Sequence, residues 1–174
     1  MLERLLIAGS GGQGIVLIGR MLASVAVKNI PHVTFFPAYG AEVRGGTSNC
    51  QVVLSTKEIA SPVSERFDTM LLMNQASADR YLPQRAEDGV VVLNRAAGKA
   101  RADAPVVTLD ATGIADELGD TRVANFIMLG KYLALRPLVS PGDIETEIAG
   151  TFAGKNKALI DLNITAFRAG LAHK

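Results

Sequence analysis

The chain has 174 residues, 48% of them hydrophobic and 20% charged, with a formal net charge of +1. That length fits one α/β domain with a sizeable core and leaves no room for a second independent one, and the near-zero charge offers no bulk attraction to nucleic acid or to an anionic membrane. With no Trp, three Tyr and six Phe there is no set of stacking platforms for single strands, and one cysteine excludes both an internal disulfide framework and an iron–sulfur cluster held by this chain alone.

Met1-Leu2-Glu3-Arg4 enters a strand directly and does not read as a signal peptide. The strand Leu5-Leu6-Ile7-Ala8 is followed by Gly9-Ser10-Gly11-Gly12-Gln13-Gly14 and then by a long apolar run, Ile15 to Val27. That run is interrupted by Arg20 and is too short to cross a bilayer, so it predicts a helix from about Gln13 to Lys28. Arg20, Ser24 and Lys28 recur every fourth residue as one narrow polar stripe, so the other sides of the helix are expected to be buried. Val33 to Phe36 predicts a second strand ended by Pro37, and the two strands joined by a helix suggest a parallel βαβ unit. Pro37 to Gly46 has helix breakers at both ends and no periodicity, which predicts an ordered loop.

Beyond it, strands are expected at 48–55, 69–73, 89–93 and 106–109, with a turn at 59–62 and a short helix from Gln75 to Leu82 stopped by Pro83. Asp110, Thr112 and Gly113 turn the chain into a brief helix ending near Gly119. The last third is helical. Thr121 is the expected N-cap of a helix from Arg122 to Leu135, Pro141 opens another, and Lys157 to Ala169 closes the chain. The pattern predicts a single Rossmann-like, doubly wound α/β domain over residues 1–174, with a mostly parallel sheet and helices on both faces.

Strand, glycine turn and helix in that order are the context in which G-x-G-x-x-G carries meaning. Gly9, Ser10, Gly11, Gly12, Gln13 and Gly14 are therefore candidate ligand-binding or interface residues, with the helix aiming free N–H groups and a positive dipole end at an anion. The plain alternative is a tight turn that binds nothing. A dinucleotide fold also requires an acidic residue about 20 positions on, at the end of the second strand. Phe35, Phe36 and Pro37 stand there instead, which speaks against NAD(P) and FAD.

In the second unusual stretch, Tyr39, Glu42 and Arg44 lie among Gly40, Gly45 and Gly46. Arg44 is suited to grip a phosphate or carboxylate bidentately, and the plain alternative is a surface ion pair between Glu42 and Arg44, worth little. His32 and His173 are isolated, no spacing suits a metal, and Cys50 reads as a small buried hydrophobe. Asp68 and Asp110 sit at strand boundaries, where capping is the expected role. No catalytic acid–base pair is evident. The surplus apolar surface of the first helix and of Val123 to Leu135 marks either an obligate interface or helices central in the fold.

Taken together, Gly9-Ser-Gly-Gly-Gln-Gly14, Pro37-x-Tyr39-Gly40-x-Glu42-x-Arg44-Gly45-Gly46 and the strand end Val52–Ser55 form a distinctive series. It resembles the gamma subunit of the 2-oxoacid:ferredoxin oxidoreductases, which act on pyruvate, 2-oxoglutarate, 2-oxoisovalerate and indolepyruvate. Asn125 with Met128-Leu129-Gly130, and Asn163, Ala166, Phe167 and Gly170, are similar too, so the resemblance covers nearly the whole chain. It implies an accessory subunit of a cytoplasmic hetero-oligomer that decarboxylates a 2-oxoacid, transfers the acyl group to coenzyme A and reduces ferredoxin. Thiamine diphosphate, Mg2+ and iron–sulfur clusters are then expected on alpha, beta and ferredoxin-like delta partners, with no cofactor held by this chain alone. The glycine turn and the Arg44 segment are expected to face the shared active site and to assist coenzyme A. The rival readings are a stand-alone NAD(P)-type reductase and a regulatory nucleotide-binding module.

Overall fold

A computed structural model of the chain describes residues 1–39, 47–95 and 106–173. β1 (Leu2–Ser10) leads into α1 (Ile15–Ala26), then β2 (His32–Tyr39), β3 (Thr47–Ser55), β4 (Phe67–Leu72), α2 (Gln75–Tyr81), β5 (Arg85–Asn94) and β6 (Val106–Leu109). The chain finishes with four helices: α3 (Ala111–Glu117), α4 (Ala124–Leu135), α5 (Pro141–Thr151) and α6 (Lys157–Ala172). The strands form one sheet in the order β2-β3-β1-β4-β5-β6. β1, β4, β5 and β6 pair in parallel, while β3 runs antiparallel to both of its neighbours, β1 and β2.

This corrects the expected βαβ unit. β1 and β2 do point the same way, but β3 lies between them and hydrogen-bonds to both. β2 also runs on through Pro37 to Tyr39. It tolerates the proline because it is an edge strand, paired only with β3, so a missing N–H costs no ladder bond on the open side.

Side chains alternate between two cores. Leu5, Ile7, Cys50, Val52, Leu54, Leu71 and Val92 point to the face covered by α1, α3, α4, α5 and α6. Leu6, Ala8, Met70, Leu72, Val91 and Leu93 point to the other, which α2 covers with Ala78 and Tyr81. The sheet is thus wound on both faces, as the pattern predicted. α4 is buried at every position from Ala124 to Leu133 because it lies between the sheet and α6. The surplus apolar surface of α4 is therefore used inside the fold, and α1 likewise packs on β1, β2, β3 and α5.

Two boundary expectations change. Asp68 is not a cap: its carboxylate accepts from the Arg4 guanidinium at 2.8 and 2.9 Å and from the Arg4 N–H at 2.9 Å. Burial alone would raise the Asp68 pKa, but these bonds outweigh it and hold the group below its ordinary value. Thr121 is not the cap of the long helix either. Asp120 accepts from Arg122 N at 2.9 Å and opens a single 3-10 turn, Thr121–Val123, ahead of α4. Asp110 does cap, accepting from Gly113 N at 2.9 Å.

Candidate functional site

The parallel strands all deliver their carboxyl ends to one rim, and the chain winds in opposite directions from β1 and from β4. Ligands of open α/β sheets bind where that reversal occurs. Here it lies between β1 and β4, and Gly9–Gly14 sits at it.

The glycine segment is held closed by its own side chains. Gln13 N donates to Ser10 O at 3.2 Å, and Ser10 N donates to Gln13 Oε1 at 2.7 Å. Gly12 and Gly14 have φ of +90° and +69°, in the left-handed region. At Gly14 a side chain is excluded twice, because a Cβ there would also strike the Asn125 amide. That amide donates to Gly14 O at 3.3 Å and ties α4 to the head of α1. Gly11 and Gly12 are exposed, and their N–H groups have no acceptor among the described residues. They are free to bind an anion at the start of α1.

A cleft of about 250 Å³ opens beside this turn, lined by Gly12, Gln13, Met73, Thr112, Thr121, Arg122, Ala124 and Asn125. Arg122 brings a cation to the rim, held bidentately by Asp120 with Nη2 to Oδ2 at 2.6 Å. Hydrogen bonds from Arg122 pull the Asp120 pKa down to about 2, so the pair stays ionised at neutral pH. A larger depression, about 390 Å³, lies between α1 and α5, where Arg20 and Glu147 offset each other. It lacks the convergence of strand ends and free N–H groups.

Polar side chains from the strand ends brace the cleft. Asn74, two residues beyond the end of β4, donates to Ser10 Oγ at 2.7 Å and to Gln13 Oε1 at 3.4 Å. Asn94, buried at the end of β5, donates to Thr112 Oγ1 at 2.8 Å and to Met73 O at 3.3 Å. Asn74, Asn94, Thr112 and Arg122 are absent from the residues singled out by motif. Their signal is position: an amide or hydroxyl at the end of a parallel strand or in the first residues after it, or a basic residue at a helix start.

Ser10 of β1 and Thr47 of β3 are register partners, and Tyr39 pairs with Ser48. The glycine turn and the two anchor points of the Gly40–Gly46 segment therefore share one end of the sheet. Glu42, Arg44, Gly45 and Gly46 themselves lie outside the described residues, as does the side chain of Tyr39. Cys50 is fully buried and accordingly inert, its thiol pushed up to about 12 by burial. His32 and His173 lie away from the cleft lining.

The family model for pyruvate ferredoxin/flavodoxin oxidoreductase matches residues 4–173. The chain belongs to that family. It is 36% identical over 169 residues to the ketoisovalerate oxidoreductase subunit VorA of Methanothermobacter thermautotrophicus, covering 96% of this chain and 35% of that protein. The chain thus spans about a third of the length of that relative. The gamma subunit of a keto/oxoacid ferredoxin oxidoreductase from Geobacter sulfurreducens superposes with a TM-score of 0.80 at 25% identity, covering 97% of this chain and 95% of that one. The fold also recurs within 2-oxoglutarate:ferredoxin oxidoreductase from Magnetococcus marinus, solved with 2-oxoglutarate, coenzyme A and succinyl-CoA bound. There the TM-score is 0.87 at 22% identity, over 98% of this chain and 30% of that one.

The sheet order also removes the dinucleotide reading on geometric grounds. In a dinucleotide fold the ribose carboxylate stands at the end of the strand next to β1. In this family member β3 occupies that place, one strand in from the sheet edge, and the end of β2 is displaced beyond it.

Proposed function

We propose that residues 1–174 act as one gamma-type domain of a 2-oxoacid:ferredoxin oxidoreductase, an accessory part beside the active site that helps receive coenzyme A. The observation that carries the reading is the Ser10–Thr47 pairing, which joins the glycine turn to the root of the Arg44 segment at one rim. The free N–H groups of Gly11 and Gly12, the Thr112 and Thr121 hydroxyls and Arg122 suit the phosphates of that co-substrate. Coenzyme A is present in the solved 2-oxoglutarate enzyme that shares the fold.

The redox and carbanion chemistry belongs to other chains. Among the described residues no group of three His, Cys, Asp or Glu is placed to hold a metal ion. Thiamine diphosphate and iron–sulfur clusters are assigned here to alpha, beta and delta partners, with ferredoxin as electron acceptor. No helix of the described residues is long and apolar enough to cross a membrane, and a cytoplasmic complex accords with that.

The deciding experiment is co-expression with the neighbouring genes, followed by an assay of 2-oxoacid- and coenzyme A-dependent ferredoxin reduction. The chain is expected to co-purify with the thiamine-containing partners, and Arg44→Ala to raise the coenzyme A concentration needed for half-maximal rate. An isolated chain stabilised by NAD(H) but not by coenzyme A, with no complex recovered, would overturn the reading.

A further inference from the structure

Asn74 makes more contacts across the site than a helix cap needs. Its Oδ1 accepts from Ser77 N at 2.8 Å, which caps α2. Its Nδ2 turns the other way, to Ser10 Oγ at 2.7 Å and Gln13 Oε1 at 3.4 Å. The same Gln13 oxygen already holds Ser10 N at 2.7 Å. One amide therefore grips both ends of the glycine turn while leaving Gly11 and Gly12 exposed between them. At the other end of α2, Arg80 Nη1 donates to Thr47 Oγ1 at 3.1 Å, and Tyr81 Oη accepts from Asn49 Nδ2 at 2.9 Å. Thr47 and Asn49 open β3, directly after the Gly40–Gly46 segment. The apolar face of α2, with buried Ala78 and Tyr81, seats it on the sheet.

We infer that Asn74 is a positioning residue that holds the glycine turn in its ligand-receiving shape, and that α2 is a strut linking that turn to the start of β3. Ser10 and Gln13 then serve as the turn's locks, and the ligand is met by the backbone of Gly11 and Gly12. The link to coenzyme A rests on the function proposed above; the hold on the turn does not.

Asn74→Ser separates the two jobs of the side chain. Serine caps a helix as well as asparagine does, but it has no amide reaching Ser10 and Gln13. In the assembled complex, amide hydrogen exchange at Ser10 and Gln13, whose N–H groups are the ones bonded within the turn, is expected to quicken about tenfold, the equivalent of one neutral hydrogen bond, while β4 and α6 stay protected. The KM for coenzyme A should rise about as much, with kcat and the KM for the 2-oxoacid nearly unchanged. Ser10→Ala should reproduce the effect, and the double variant should add little to either single one. Unchanged exchange at the turn in Asn74→Ser, or fully additive effects with Ser10→Ala, would overturn the inference. Faster exchange with an unaltered coenzyme A KM would uphold the role of Asn74 and sink the coenzyme A reading instead.

Discussion

Ser10, the last residue of β1, stands opposite Thr47, the first residue of β3, in an antiparallel register that runs unbroken to Leu2 and Ser55. Two segments separated by more than thirty residues of chain are thereby rooted side by side. The antiparallel insertion of β3 does this, and it also removes the dinucleotide geometry that a glycine turn in this position would otherwise suggest.

The glycines of the turn differ in what they tolerate. Gly14→Ala puts a Cβ in the left-handed region and against the Asn125 amide, so it should cost at least about 1–2 kcal/mol from the backbone alone. A Cβ at Gly11 meets nothing within 4 Å, and Gly11→Ala should stay within about 0.5 kcal/mol of the parent. Urea midpoints of the two variants check this, and equal losses would contradict it.

α4 and α6 cross backbone to backbone. A Cβ on Gly170 would strike the Ile127 carbonyl, and one on Gly130 the Phe167 carbonyl. Each alanine should cost about 1–3 kcal/mol through forced separation of the helices. Because the first substitution already opens the crossing, the double variant should lose less than the sum. Thermal denaturation of both single variants and the double one reads this directly.

Glu3 is 5% exposed, and its Oε1 has no partner among the described residues. Burial raises its pKa, and the opposing pulls, first a side-chain hydrogen bond with Thr69 and then the charge of Arg136 3.9 Å away, are too weak to cancel that. Arg4 lowers it and Asp68 raises it further, both to a lesser degree. A raised carboxyl binds its proton more tightly in the folded chain, so its contribution is present at low pH and is lost as pH rises from about 4.3 through the raised value. Glu3→Gln should therefore flatten the decline of stability over that window and be more stable than the parent at neutral pH. Urea titrations from pH 4 to 8 test the sign.

Arg122 is largely exposed, at 82% of its side chain, and its solvent-screened pair with Asp120 should contribute little to folding. If it meets phosphate at the cleft, Arg122→Ala should leave the thermal midpoint almost unchanged while raising the coenzyme A KM several-fold. The parent KM should also rise with ionic strength more steeply than the variant's. Matching salt dependences would remove Arg122 from the site.

Much of the strand and helix pattern was legible because burial imposes a local period. Leu5–Ala8, the three valines of 90–92 and the run Ile15–Val27 each declare an element without reference to the rest of the chain. Cys50 and Asp110 also behave as their local settings predict. Of the candidate site, the glycine turn was legible, since positive φ at Gly12 and Gly14 selects for glycine in the sequence itself. Asn74 and Asn94 were not legible, because an asparagine after a strand looks the same whether it caps a helix or braces a neighbouring loop.

By itself the sequence determined the elements, the alternation of two cores and, through its motifs, the family. Only the tertiary structure decided the order of the strands. The placement of β3 between β1 and β2 is a contest among long-range pairings whose local signals are identical, since a strand's period of two says nothing about its neighbour or direction. The same holds for Arg4 with Asp68 and for Asn74 with Ser10: the partners are each 64 residues apart in the chain, and only the assembled sheet brings them together.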